Sequence, residues 1–365
     1  MKKRILIVVG TRPNFIKVTQ FKNLTLENNK IELKIVHTGQ HYDAKMADVF
    51  FEQFDLIPDF FLNIKSASPN SQMAEIMHNL EKVCLEYYPD LIMVVGDVNS
   101  TLAAALTANK LGIKIAHLES GLRSYDRTMP EEINRILTDE ITDLFFVTEQ
   151  SGWDNLIKEG KKEAQLFFVG NTMIDTMIAF EDKIQSNKVL EKYQLENERF
   201  ILMTIHRPAT VDHKDELIKL IELIEFINET FKIIFPIHPR TINNLKKFDL
   251  YDRVNGLTNL ILTEPLDYFS FQKLIATCKF IITDSGGIQE ESTFRLKPCL
   301  TLRPNTERPS TVTIGSNILL PFDNQLIKKT IQSIINGNYK KGNIPPLWDG
   351  KSTERIIEVL NKIHN

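Results

Sequence analysis

Short apolar runs and amphipathic stretches alternate from one end of the chain to the other. Residues 5–9, 33–37, 91–95, 113–117 and 144–147 are rich in Val, Ile, Leu and Phe without polar alternation, as expected of strands buried on both faces of a parallel sheet. Between them Met73, Ile76, Met77, Leu80, Val83, Cys84 and Tyr87 recur at the 3.6-residue period of a helix. A second series starts near Phe200, with strands expected at 200–205, 233–237, 260–262, 280–283 and 299–302 and a strong helix at 217–227. Residues 171–198 show helical spacing and no strand signal, so a domain junction is placed there. The chain thus reads as α/β, with one domain at 1–172, a second at 173–350 and a terminal helix at 351–365. That helix opens on Ser352 as its expected N-cap and carries Ile356, Ile357, Val359, Leu360 and Ile363; Pro345-Pro346 set it apart.

At 365 residues the chain is too long for one ordinary core. Its 42% apolar and 25% charged residues are globular values, which removes disordered and fibrous classes. A net charge of −3 with no basic block argues against a nucleic-acid partner. Lys2-Lys3-Arg4 before the first apolar run looks briefly like a signal peptide, but the run is short and ends in polar Gly10-Thr11-Arg12-Pro13. No run is long enough to span a bilayer, so no membrane partner is expected. Cys84, Cys278 and Cys299 form no CxxC pair and fit a reducing cytoplasm. Eight histidines, scattered apart from His37 and His41, argue against a catalytic metal.

In open parallel sheets ligands sit beyond the carboxyl ends of strands. The unusual residues cluster there: Gly10-Thr11-Arg12-Pro13, Gly96-Asp97-Val98-Asn99-Ser100 and Glu119-Ser120-Gly121 in the first domain, and His206-Arg207-Pro208, His238-Pro239-Arg240 and Asp284-Ser285-Gly286-Gly287 in the second. The simplest geometry is two sheets facing across a cleft. Ser285, Gly286 and Gly287, between a buried strand and a helix, suit a phosphate at a helix N-terminus, although an ordinary strand-to-helix turn would use the same residues. Arg308 supplies a guanidinium nearby, and Arg12 and Lys17 are further candidates, each with a solvated surface charge as its bland alternative. Asp97, Glu119 and Glu131 follow buried strands or open a helix, where carboxylates are either proton-transfer groups or caps. Glu132, followed by Asn134-Arg135, reads as structural. For His206 a proton donor and a hydrogen-bonded core histidine are equally open readings.

Taken in order, GTRPNFIK (10–17), TGQH (38–41), GDVNST (96–101), HLESGLRS (117–124), PEEINR (130–135), VGNTMID (169–175), HRP (206–208), DSGGIQEE (284–291) and TERP (306–309) resemble the non-hydrolysing UDP-N-acetylglucosamine 2-epimerase family over nearly the whole chain. The resemblance implies the GT-B fold: two Rossmann-like domains facing across a cleft, with a C-terminal helix returning to the first. It implies reversible epimerisation at C2 of UDP-GlcNAc to UDP-ManNAc, by elimination of UDP to 2-acetamidoglucal and re-addition, for cell-surface polysaccharide precursors. No cofactor and no metal are expected, and a homodimer is expected because such enzymes are commonly dimeric. Matched by motif, Asp97, Glu119 and Glu131 correspond to the family's essential carboxylates and His206 to its functional histidine. Arg12, Lys17, Ser285, Gly286, Gly287, Glu291 and Arg308 correspond to its UDP-binding set, with Glu291 on the ribose.

The chain departs from the forms GTRPEAIK, HREM, EAGLR, HRRE and ERPEA at Asn14-Phe15, Tyr42-Asp43, Ser120, Pro208-Ala209 and Ser310-Thr311. Gln40 to Asp43 and His206 to Ala209 lie where many relatives bind a second, activating UDP-GlcNAc. HTGQHYD is more similar to relatives that epimerise UDP-2,3-diacetamido-2,3-dideoxyglucuronate, which is the alternative substrate. A GT-B glycosyltransferase would share the fold but needs no pair of C2 acid–base groups. A non-catalytic nucleotide-sugar sensor would have no use for the four groups Asp97, Glu119, Glu131 and His206.

Overall fold

The computed structural model describes residues 2–39, 51–66 and 68–363. Two compact units divide the chain: residues 1–179 with 346–365, and residues 180–345. Each holds one sheet, and every strand pairing is parallel.

The first unit contains β1 (Lys3–Val9), β2 (Ile31–His37), β3 (Phe60–Phe61), β4 (Leu91–Val95), β5 (Lys114–Ser120), β6 (Leu144–Val147) and β7 (Leu166–Phe168), in the order β3-β2-β1-β4-β5-β6-β7. Its helices include α1 (Arg12–Ile16), α2 (Phe21–Thr25), α3 (Pro69–Tyr87), α4 (Asn99–Lys110), α5 (Pro130–Glu140), α6 (Gln150–Lys158) and α7 (Thr172–Ala179). The periodic apolar positions of α3 do face the core: Ile76, Leu80, Val83, Cys84 and Tyr87 are buried with Leu6, Val8, Ile92 and Val94. Ser68 caps this helix by accepting from the Ser71 backbone N–H (3.3 Å), and Tyr88 ends it with left-handed backbone.

The second unit contains β8 (Phe200–Thr204), β9 (Lys232–Pro236), β10 (Leu260–Thr263), β11 (Ile281–Thr283), β12 (Cys299–Leu302) and β13 (Asn317–Leu320), ordered β10-β9-β8-β11-β12-β13. Alternate residues of these strands feed two cores. Ile201, Met203, Ile233, Phe235 and Ile282 pack with Leu217, Leu220, Ile221 and Ile224 of helix α8 (Lys214–Asn228). Leu202, Ile234 and Ile281 pack with Leu274 and Ile275 of α9 (Tyr268–Thr277), on the other face. Both faces being covered explains the unalternating apolar runs. Helix α10 (Gly287–Phe294) follows β11.

Three features differ from the expectations. Strands β3, β7 and β13 carried no recognised signal; the first has two residues, and all three lie at or next to a sheet edge or begin with a polar residue. Strand β5 runs on to Ser120, so Glu119 belongs to the strand end rather than to the loop after it. The expected junction at 172/173 falls after the first residue of α7, yet α7 is held in the first unit: Thr176 Oγ1 donates to the Ile16 carbonyl (2.6 Å) and lies 2.6 Å from Thr19 Oγ1.

The terminal helix α11 (Ser352–Lys362) belongs to the first unit and buries Ile356, Ile357 and Leu360. Ser352 is its first residue rather than its cap, and Lys351 at the N-cap makes no side-chain cap bond. The buried carboxylate of Asp175 on α7 serves instead, accepting from the Ser352 N–H (3.2 Å), the Thr353 N–H (2.6 Å) and the Thr353 hydroxyl (2.7 Å). Burial pushes the Asp175 carboxyl above the usual range, against these donors. Asp175→Ala is therefore expected to destabilise the first unit by about 1–3 kcal/mol, read as a lower urea midpoint; an unchanged midpoint would show that water caps the helix as well. No helix among the described residues is long and apolar enough to cross a membrane.

Candidate active site

In each sheet the strand order reverses between the first and fourth strands, β1 and β4 in one and β8 and β11 in the other. The loops leaving those strands carry the candidate residues, which is where open parallel sheets place ligands.

In the first unit, Gly96 ends β4 with φ +67, and its N–H donates to the Leu118 carbonyl (3.0 Å). A Cβ there would lie 2.9 Å from Asn14 Nδ2 and 3.5 Å from Glu119 Oε2, so only glycine fits. Glu119 adopts φ +73, left-handed backbone that costs a non-glycine residue energy, where the β5–β6 register shifts. The bulge lets consecutive residues of the strand end take separate tasks. Glu119 is buried and ion-paired with buried Lys17, which follows α1. Lys17, expected among the UDP-binding residues, thus reaches the carboxylate of Glu119.

Asp97, partly exposed, pairs with Arg135 Nη1 of α5. Val98, not Asp97, occupies the N-cap of α4, so the capping alternative for Asp97 does not describe this fold. The Arg135 guanidinium is also held by Glu132 (2.8 Å), whose carboxylate accepts from the Ser124 and Tyr125 backbone N–H groups (2.9 Å each). Burial pushes the Glu132 carboxyl up, but Ser124 and Arg135 outweigh it and hold it below the usual range. Glu132 thus ties the loop after β5 to α5, the structural part expected of it. Glu131 is exposed on the first turn of α5, with no ion pair among the described residues. Arg12 is exposed at the start of α1.

Beneath these groups lies a buried chain of charges that sequence reasoning did not find. His117 Nδ1 is 2.6 Å from Asp139 Oδ1, and its Nε2 is 2.8 Å from the Gly96 carbonyl. The other Asp139 oxygen receives the Gly121 N–H (3.1 Å) and Arg123 Nη2 (2.7 Å), and Arg123 also forks onto Glu159. Burial pushes the Asp139 carboxyl up, yet His117 and Arg123 prevail and hold it below the usual range. The only hint in the sequence was a histidine within an apolar strand.

In the second unit, fully buried Asp284 ends β11 and organises the loop after β8. Its Oδ2 accepts from the His206 and Arg207 backbone N–H groups (2.9 and 2.7 Å), and its Oδ1 is 3.0 Å from His206 Nδ1. This directs the half-exposed imidazole and leaves Nε2 for another partner. His238 caps the following helix, its Nδ1 accepting from the Arg240 N–H (3.1 Å). Its ring centroid lies 5.8 Å from that of His206. Burial, followed by His206 and Arg240, lowers the His238 pKa.

The Ser285-Gly286-Gly287 turn leads into α10, whose N-terminus makes no side-chain cap bond. Gly286 is needed for space rather than for φ: a Cβ would lie 2.9 Å from Glu307 Oε1 and 3.2 Å from Arg308 Nη1. Arg308 is buried and held by Glu290 (2.7 Å) and by Glu307. It is therefore a braced guanidinium rather than a mobile surface charge. Glu291 is buried on the same helix. Arg303, directly after β12, was missed on sequence; it is buried, paired to Glu307 (3.0 Å), and close to the Gly286 turn. Its Nε and Nη1 find no hydrogen-bond acceptor among the described residues. Burial, with Arg207 and Arg308 nearby, lowers its pKa against the pull of Glu307. Two buried guanidinium groups, Arg303 and Arg308, beside a helix N-terminus make this turn suited to an anion. Gln40, His41, Tyr42 and Asp43 lie outside the described residues.

Residues 24–361 match the family model described as UDP-N-acetylglucosamine 2-epimerase. The chain is 40% identical over 369 residues to the UDP-N-acetylglucosamine 2-epimerase of Methanocaldococcus jannaschii, covering 98% of each protein. It is 35% identical to the UDP-2,3-diacetamido-2,3-dideoxy-D-glucuronate 2-epimerase of Pseudomonas aeruginosa, covering 99% of this chain and all of that one. Among solved structures it is similar to the M. jannaschii UDP-GlcNAc 2-epimerase in complex with UDP-GlcNAc and UDP, with a TM-score of 0.88 over 98% of this chain and 99% of that one. The two-sheet α/β architecture is thus that of the GT-B-type epimerases.

Proposed function

Because this chain belongs to the UDP-N-acetylglucosamine 2-epimerase family, we propose that it inverts C2 of UDP-GlcNAc to give UDP-ManNAc. The observation that carries the reading is Glu119: a carboxylate buried on strained backbone at a strand end, paired with Lys17 and neighbouring the Gly96-Asp97 turn. Folds retain such strain and burial where chemistry uses them. Carbon 2 is not next to a carbonyl, so direct removal of its proton is prohibitive. Elimination of UDP and the C2 proton to 2-acetamidoglucal, then return of UDP to C1 and of a proton to the other face of C2, avoids that barrier. In this reading Asp97, Glu119 and Glu131 handle the C2 proton and the oxocarbenium charge, and His206, directed by Asp284, assists the departing diphosphate. The diphosphate is held by Ser285, Gly286, Gly287, Arg308 and Arg12, and the ribose by Glu291.

Incubation with UDP-GlcNAc in deuterated buffer, followed by proton NMR, tests the proposal. Deuterium at C2 together with UDP-ManNAc is the expected result; absence of both sinks it. The full-length similarity to the P. aeruginosa enzyme supports UDP-2,3-diacetamido-2,3-dideoxyglucuronate as a second substrate reading, tested in the same assay. Arg308→Ala is expected to weaken UDP binding about tenfold or more, measured by calorimetry. Because it also leaves Glu290 and Glu307 unpaired, the melting temperature is recorded in parallel. Unaltered affinity would remove Arg308 from the phosphate site.

A further inference from the structure

His117 is wholly buried between two groups that only accept hydrogen bonds: the Gly96 carbonyl at 2.8 Å and an oxygen of Asp139 at 2.6 Å. A neutral imidazole carries one N–H and satisfies one such neighbour; both nitrogens must be protonated to satisfy two. Asp139 stays a carboxylate because the Arg123 guanidinium (2.7 Å) and the Gly121 N–H (3.1 Å) on its second oxygen stabilise the negative charge, which leaves the proton between its first oxygen and Nδ1 on the ring.

We infer that His117 is held as a buried imidazolium, and that with Asp139 it forms a positioning pair for Asp97 and Glu119. The geometry reaches both carboxylates. Through Nε2 the ring fixes the Gly96 carbonyl and hence the turn that presents Asp97. Through its second oxygen Asp139 fixes Gly121, two residues after Glu119, and so holds the bulge that keeps Glu119 on left-handed backbone. One ion pair therefore sets the loops after β4 and β5 together. The charged groups around it are Asp139 from α5, Arg123 after β5, Glu159 beyond α6, and the Lys17–Glu119 pair beside Gly96. The positioning role rests on the proposed use of Asp97 and Glu119 in proton transfer; the protonation state does not.

The test has two parts. In the native full chain labelled with nitrogen-15 histidine, the buried ring, assigned through its proximity to Gly96 and Leu118, is expected to show protons on both nitrogens at neutral pH. A single protonated nitrogen overturns the inference without any variant being made. In Asp139→Asn, turnover is expected to fall about ten- to hundredfold at nearly unchanged KM. A merely structural loss would disturb substrate binding as well, so a KM raised along with the fall in kcat, or a native kcat, removes the positioning role. If Asp97→Asn and Glu119→Gln keep turnover while the imidazolium spectrum stands, the proton-transfer reading alone has failed.

Discussion

Glu119→Gln is expected to lower turnover about 10³-fold while UDP binds nearly as well as to the native protein. The substitution keeps the volume and both heteroatoms of the side chain, so the bulge at the end of β5 persists. It removes the negative charge that Lys17 balances and the basicity that C2 proton transfer requires. Lys17 loses the carboxylate it pairs with, and the substitution adds no negative charge that would oppose UDP. Asp97→Asn is expected to act similarly, because Arg135 and Asn134 keep its loop in place through contacts a neutral amide also makes. Single-turnover measurements with UDP-GlcNAc, alongside UDP titration, separate the steps. Near-native turnover in either variant would show that the other carboxylate handles the proton alone.

Gly121→Ala is expected to destabilise the first unit by more than about 3 kcal/mol. Gly121 has φ +79, and a Cβ would be placed 2.2 Å from the Gly152 carbonyl oxygen of α6. Both objections apply at once: the backbone conformation disfavours any side chain, and the obstacle is main chain that no rotamer change removes. Either α6 withdraws or the loop after β5 opens, and opening also breaks the Gly121 N–H bond to Asp139. A urea titration followed by circular dichroism reads the change. A native midpoint would mean that α6 shifts without cost, contrary to the packing of Leu156 in the sheet's core.

Why some of this was legible in the sequence and some was not follows from what each feature depends on. The strands at 5–9, 91–95, 200–205 and 280–283 announce themselves because burial on both faces leaves no polar residues to confuse the pattern. Strand β13 opens with Asn317 and lies at a sheet edge, where its pattern relaxes. The residues following the strands stand out as candidates because open parallel sheets place ligands at the carboxyl ends of their strands. Their mutual pairing does not. That Lys17 meets Glu119 across 102 positions, or that Arg308 is braced by Glu290 and Glu307, depends on register and on a bulge that no local spacing encodes. Ser352 looked like its own helix's cap because serine before an apolar period usually is one; Asp175, from a distant helix, took that place.

The first unit draws its last helix from the end of the chain, whereas the second is one continuous stretch. During synthesis on the ribosome the order of completion is therefore inverted. Residues 180–345 can close their sheet as soon as they emerge, but the amino-terminal unit, though translated first, must wait for 346–365 to leave the exit tunnel. Until then the Asp175 carboxylate has no helix to cap and Trp348 is not yet donating to the Thr148 carbonyl. A nascent chain held with residue 345 outside the tunnel and 346–365 still within it should present a protease-resistant second unit beside a susceptible first one.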